Sequence, residues 1–192
     1  MDERPIDGTR SYYSKGAIFF HWTIAALIIA NLAIGFLHEG FSPALRGTAM
    51  GFHKSTGILV IVLTLGRIAW RITHKPPPLP VTARSWEKGL AHAVHWLLYA
   101  LMLALPVTGW LMTSAGKRKY ALDFYGLFPI PYLPVAQNEG AAHTYADRHE
   151  LLGWIALALL VLHLGGAAKH YFMDRDRTVQ RILPWLRDRS AA

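Results

Sequence analysis

An all-α fold class, a four-helix bundle embedded in a membrane, is what the sequence predicts, and three observations predict it. The chain of 192 residues is 53% hydrophobic and only 17% charged, too apolar for an ordinary soluble domain. Its apolar residues gather into four stretches, at about 17–37, 52–72, 92–113 and 149–171. Each is close to the ~20 residues that cross a ~30 Å hydrocarbon core. The net charge is nonetheless +8, so the basic residues must lie at the ends of the spans.

The first stretch follows a short polar arm, "MDERPIDGTRSYYSKG". This arm mixes acids with bases and has no small-residue cleavage pattern, so it does not read as a signal peptide. Three connectors separate the spans: "HEGFSPALRG", "THKPPPLPVTARSWEKG" and the long "GKRKYALDFYGLFPIPYLPVAQNEGAAHTYADR". The proline run in the second cannot continue a helix and predicts an extended strap. One domain spanning 1–192 is expected, without internal repeats.

Four spans put both termini on one side. The terminal side receives Arg4, Arg10, Lys15, Arg67, Arg71, Lys75, Arg84, Lys88, Lys169, Arg175, Arg177, Arg181, Arg187 and Arg189. Only Arg46, Lys54, Lys117, Arg118, Lys119 and Arg148 fall on the other. This asymmetry predicts cytoplasmic termini.

The chain has no cysteine, which excludes disulfides, thiolate metal sites and covalent haem attachment through C-x-x-C-H. A metal here would be held by nitrogen or oxygen. Histidines within spans are costly and usually face a partner in the bundle interior. His149 and His163 are fourteen residues apart on the fourth span, about 21 Å along a helix and nearly in phase around it. Reading the others by depth, His21 falls level with His163 and His53 level with His149. Two imidazole pairs stacked through a bundle core are what non-covalent b-type haem requires. Two haem b groups are therefore expected, with His21 and His163 on the iron of the cytoplasmic-side haem and His53 and His149 on that of the outer one.

His92 and His95 lie near the start of the third span, level with the first pair, and either could replace one of its members. His95 could instead donate to a quinone carbonyl or a haem propionate. His38, His74, His143 and His170 lie at helix ends or in connectors and read as solvated interfacial residues. The tryptophans read as interfacial belt and packing, and Pro106 as a kink in the third helix.

Four segments, "YSKGAIFFHW", "HKSTGILVIVLTLGRIAWR", "GLAHAVHWLLYALMLALPVTGW" and "HELLGWIALALLVLHLGGAAKHYF", together resemble the bacterial cytochrome b561 family over about residues 12–173. The resemblance implies a four-helix dihaem protein of the bacterial inner membrane and supports the same histidine pairing. In the stand-alone branch of that family, periplasmic superoxide is oxidised to oxygen and the electron passes to ubiquinone. Related cytochrome b subunits carry electrons between quinone and a partner dehydrogenase. With no fused redox domain and no iron-sulfur ligands, the chain is expected to belong to the stand-alone branch.

Lys117, Arg118 and Lys119 run against the charge asymmetry. With Arg46, Lys54 and Arg148 they could steer a small anion such as superoxide toward the outer haem, or equally meet lipid phosphates or an acidic partner. Ser14, Lys15 and His95 are the candidate quinone or propionate contacts. The bilayer, ubiquinone and superoxide or another small redox donor are the expected partners; nucleic acid is not, and a protein partner is left open.

Overall fold

The computed structural model describes residues 12–78, 84–183 and 186. Most of the amino-terminal arm, the middle of the proline strap and the end of the basic tail, with Arg4, Arg10, Arg187 and Arg189, lie outside the described residues.

Four long helices, all of them long and apolar enough to cross a membrane, form the bundle: α1 (Lys15–Leu37), α2 (Pro43–Thr73), α3 (Ser85–Ala115) and α4 (Glu139–Ala168). They run up, down, up and down, with α1 packed chiefly on α2 and α3 on α4. Large apolar side chains such as Phe19, Val62, Leu97 and Val161 point outward and are exposed. That is the reverse of a water-soluble bundle and suits a lipid surround, where packing and not apolarity holds helices together. The buried interior is small, built on Ile24, Val60, Tyr99 and Met102.

Capping sets where each helix starts. Ser14 caps α1 by accepting from the Ala17 amide at 3.3 Å. Ser42 caps α2 with Pro43 in the first turn, where its missing N–H costs nothing. Arg84 and Glu87 cap α3, and Asn138 caps α4. Consequently α2 begins nine residues before, and α4 ten residues before, the apolar stretches inside them. Apolarity marks where lipid is, whereas caps mark where the backbone turns helical. Pro106 sits inside α3, and a Cβ on Gly57 of α2 would stand 3.4 Å from it.

The connector between α3 and α4 is a folded lid. Ile130 donates to Leu122 and Phe124 to Phe128, each at 2.9 Å, around a turn at Tyr125 and Gly126 with positive φ. The buried hydroxyl of Ser55 on α2 pins this turn, accepting from the Tyr125 amide at 3.0 Å and donating to the Asp123 carbonyl at 2.8 Å. Lys54 reaches the Ala121 carbonyl beside it.

At the opposite, terminal end, where α1 begins and α4 finishes, α4 runs into a π-helical turn (Lys169–Asp174), and Arg175 then takes a left-handed conformation. Lys169 bridges Glu87 of α3 at 2.9 Å, tying the two helices together there. Although burial would raise the Asp176 carboxyl, hydrogen bonds from Thr178 and His170 hold it below the usual carboxylate range. The tail then folds back, with Trp22 of α1 donating to the Ile182 carbonyl at 3.0 Å.

Candidate haem-binding site

Four of the predicted histidines meet in two pairs inside the bundle. His53 of α2 faces His149 of α4, with ring centroids 6.0 Å apart. His21 of α1 faces His163 of α4 at 6.2 Å. The fourteen-residue spacing on α4 separates the pairs along the bundle, the first at the lid end and the second at the terminal end.

The lid-end pair is held by its neighbours in one tautomer. Nδ1 of His53 lies 3.1 Å from the Asn31 carbonyl, and Nδ1 of His149 lies 2.9 Å from the Leu105 carbonyl. Carbonyls only accept, so each Nδ1 carries the proton and each Nε2 keeps its lone pair for a metal. Two further contacts brace the rings: the Asn31 amide donates to the His53 carbonyl at 3.1 Å, and the Thr108 hydroxyl lies 3.1 Å from His149 Nδ1. Small residues stand close beside them. A Cβ on Gly109 would come within 3.2 Å of the His149 ring, and one on Gly35 within 3.5 Å of His53.

The terminal-end pair is held differently. His21 Nδ1 accepts from the Arg67 guanidinium at 3.2 Å, because a guanidinium can only donate. His95 of α3 also stands against His163, at 5.5 Å. His92 points elsewhere and bonds the Lys88 carbonyl of its own helix at 2.7 Å.

The remaining candidates disperse. Ser14 is occupied as the α1 cap and accepts from the Trp70 indole at 3.0 Å. Lys15 is exposed at the start of α1. Among the described residues, no hydrogen bond joins either to His95. On the lid side, the Lys119 ammonium donates to the Ser114 carbonyl at 2.7 Å and lies over Tyr132, and the Lys117 amide donates to Glu139. Arg118, stacked on Tyr120, instead lines a cavity of about 290 Å³ with Met112, Glu139, His143 and Ala146. Met112 is one turn beyond Thr108 on α3, and Ala146 one turn before His149 on α4, so the cavity stands over the lid-end pair.

His143 and the braces Asn31, Thr108 and Gly109 carry no motif of their own. The i, i+4 pair Arg67 and Arg71 near the end of α2 did carry a signal, but a charge count by side registers such residues only as membrane anchors.

An all-α spanning bundle with imidazoles paired in its interior is the plan of a b-type membrane cytochrome, an electron carrier. Residues 12–185 match the family model of prokaryotic cytochrome b561, and the chain belongs to that family, which implies haem b. It is 32% identical over 179 residues to cytochrome b561 homolog 2 of Escherichia coli, covering 91% of this chain and 93% of the relative. It is 29% identical over 176 residues to the probable superoxide oxidase CybB of Yersinia pestis, covering 90% and 96%. Similarity extends to cytochrome b562 of Cereibacter sphaeroides, 27% identical over 177 residues, covering 89% and 94%.

Proposed function

We propose that the chain holds two haem b groups, one on His53 and His149 and one on His21 and His163, and that it oxidises superoxide on the lid side at the expense of ubiquinone on the terminal side. The spacing of the two pairs carries the haem assignment, on which the rest of the reading is built. A metal held by both imidazoles of a pair, at about 2 Å from each nitrogen, would need ring centroids roughly 6 Å apart, and both pairs lie within a few tenths of an ångström of that. His95 and His163 stand closer, at 5.5 Å, which favours His21 as the partner of His163. Bound there, haem b supplies reversible one-electron iron chemistry.

The chain's own residues set the rest. Asn31 and Leu105 fix the tautomer of the lid-end imidazoles before any metal arrives, so no reorganisation is needed on binding. The cavity lined by Arg118 gives a small anion a path through the lid; its wall also holds the Glu139 carboxylate, which accepts from the Lys117 amide, so the preference for superoxide over neutral oxygen, the product, rests on Arg118 together with the lysines around the mouth. Exposed Lys117 adds to that field. At the terminal end, His95 and Lys15 are the proton-bearing groups available to a quinone carbonyl. In balance, two superoxide ions each lose one electron to become oxygen, and ubiquinone gains both electrons and two protons to become ubiquinol. By the charge asymmetry the termini face the cytoplasm, so superoxide is met outside the inner membrane and the protons are drawn from within. The relative described as a probable superoxide oxidase supports the choice of donor.

The test begins with the haem content and the reduced-minus-oxidised spectrum of the purified protein. About two low-spin b haems per chain are expected, with one lost in His53→Ala and the other in His21→Ala. Fewer than two in the wild type overturns the reading. Pulsed superoxide should then reduce the protein, severalfold more slowly once Lys117, Arg118 and Lys119 are neutralised, and with the gap widening at low salt. A two-haem protein indifferent to superoxide but reduced by a co-purifying dehydrogenase is instead a carrier subunit.

A further inference from the structure

Most cations near the helix ends find oxygen. Arg46 donates to the carbonyls of His38 and Glu39, Lys119 to Ser114, and Lys169 to Glu87 and Asp174. Arg67 and Arg71 find none that is charged: Arg67 hydrogen-bonds the Tyr99 side chain and His21 Nδ1. They sit one turn apart on the same face of α2, both partly buried, with their guanidinium carbons 5.1 and 6.0 Å from the ring centroid of the buried Tyr99. Among the described residues, neither meets a carboxylate. Two positive charges within a spanning helix and without an anion are costly, and a tyrosine face offsets little of that.

Their depth says what would meet them. On α1 and α2, Phe20 stands against Gly66 and Ser14 against Trp70. Arg67 is thus level with His21, on which it sits, and Arg71 lies one turn nearer the surface. The tautomer of His21 supplies a second argument. While Arg67 donates to Nδ1, the ring's proton is on Nε2, and that nitrogen has no lone pair for a metal. Ligation through Nε2 puts the proton on Nδ1 and displaces the guanidinium. Arg67 then keeps only its bond to the Tyr99 side chain and has donors free for a charged acceptor within reach.

We propose that Arg67 and Arg71 form a dianion site that holds the propionate carboxylates of the haem carried by His21 and His163. This rests on the two-haem reading above. The group that takes Nε2 of His21 brings two carboxylates with it, matching the two guanidiniums in charge and number, and a guanidinium–carboxylate fork is the strongest pairing open to them. Binding and release of Arg67 from His21 are thereby one event: the arginine holds the unligated imidazole in its non-coordinating tautomer, and the propionate takes it away.

The purified two-haem protein, grown with haem labelled by ¹³C at the propionate carboxyls, tests this by redox-induced infrared difference spectroscopy. Arg67→Gln and Arg71→Gln should shift the labelled carboxylate bands of one haem and lower its midpoint potential, since a nearby cation favours the reduced, more electron-rich state. Arg67→Lys should restore part of both shifts. The KM for ubiquinone should change by less than about twofold, and the spectrum of the haem on His53 and His149, unaltered, certifies the fold of each variant. Unmoved carboxylate bands in a variant holding both haems overturn the proposal, whether the KM for ubiquinone rises about tenfold, which assigns the guanidiniums to quinone oxygens, or binding of anionic lipid falls, which assigns them to headgroup phosphate. A wild-type protein with fewer than two haems overturns the reading beneath it.

Discussion

Gly109 gives the His149 ring its room on α3. A methyl group there would stand 3.2 Å from Cε1 and 3.4 Å from Nδ1 of the imidazole, and that ring is already fixed by the Leu105 carbonyl and the Thr108 hydroxyl. Gly109→Ala must therefore push a braced ring off its line to His53, at a cost of roughly 1–3 kcal/mol for overpacking. The expected result is weakened retention of the lid-end haem with the other haem intact, measured as haem content after detergent washing. Retention equal to wild type would mean that the ring has room the braces do not suggest. None of this geometry is legible in the sequence. The histidines announce themselves because an imidazole in an apolar run has a desolvation cost to explain, while Gly109 is one of sixteen glycines and its role depends on which ring α4 brings to it.

At the scale of elements, the spans were legible and the lid was not. Length and apolarity place the four helices because lipid demands both. The thirty-odd residues between the third and fourth apolar stretches offer no such constraint, and as sequence they read as a loop. In the structure their last ten residues belong to α4 and the rest fold over the end of the bundle. One buried hydroxyl, that of Ser55, holds this lid through its two bonds to Asp123 and Tyr125. Ser55→Ala leaves a backbone amide and a carbonyl without their partner, a loss of about 1–3 kcal/mol. Hydrogen exchange should show faster opening of residues 121–130 in the variant, with α1 to α4 unchanged; equal protection would show that Lys54 and the buried Leu122 and Ile130 suffice to hold the lid. If the proposed reaction holds, a looser lid should also blunt the salt dependence of haem reduction by superoxide, because the cavity wall bearing Arg118 would no longer be fixed.

For the whole molecule, the proposed direction of electron flow depends on which end faces the cytoplasm, and the charge distribution, more than any one residue, supports cytoplasmic termini. Of the sixteen described Lys and Arg residues, ten lie at the terminal end or its connector, and the six at the lid end are largely engaged: Arg46 and Lys119 on carbonyls, Arg118 over an aromatic ring. A bundle inserted the other way would have to carry the basic end across the membrane against the cytoplasmic preference for positive charge. In the proposed reaction the orientation also decides the chemistry, since superoxide is charged and cannot reach a cytoplasmic lid from outside, and the protons taken up with ubiquinone would come from whichever side holds Lys15 and His95. Because the chain has no cysteine, single cysteines report sidedness without background. Gln137→Cys in the lid connector should react with a membrane-impermeant maleimide on intact spheroplasts, and Lys75→Cys in the strap should react only after lysis. The opposite pattern would place the Arg118 cavity in the cytoplasm, and the proposed path from external superoxide to quinone would fail even if both haems were present.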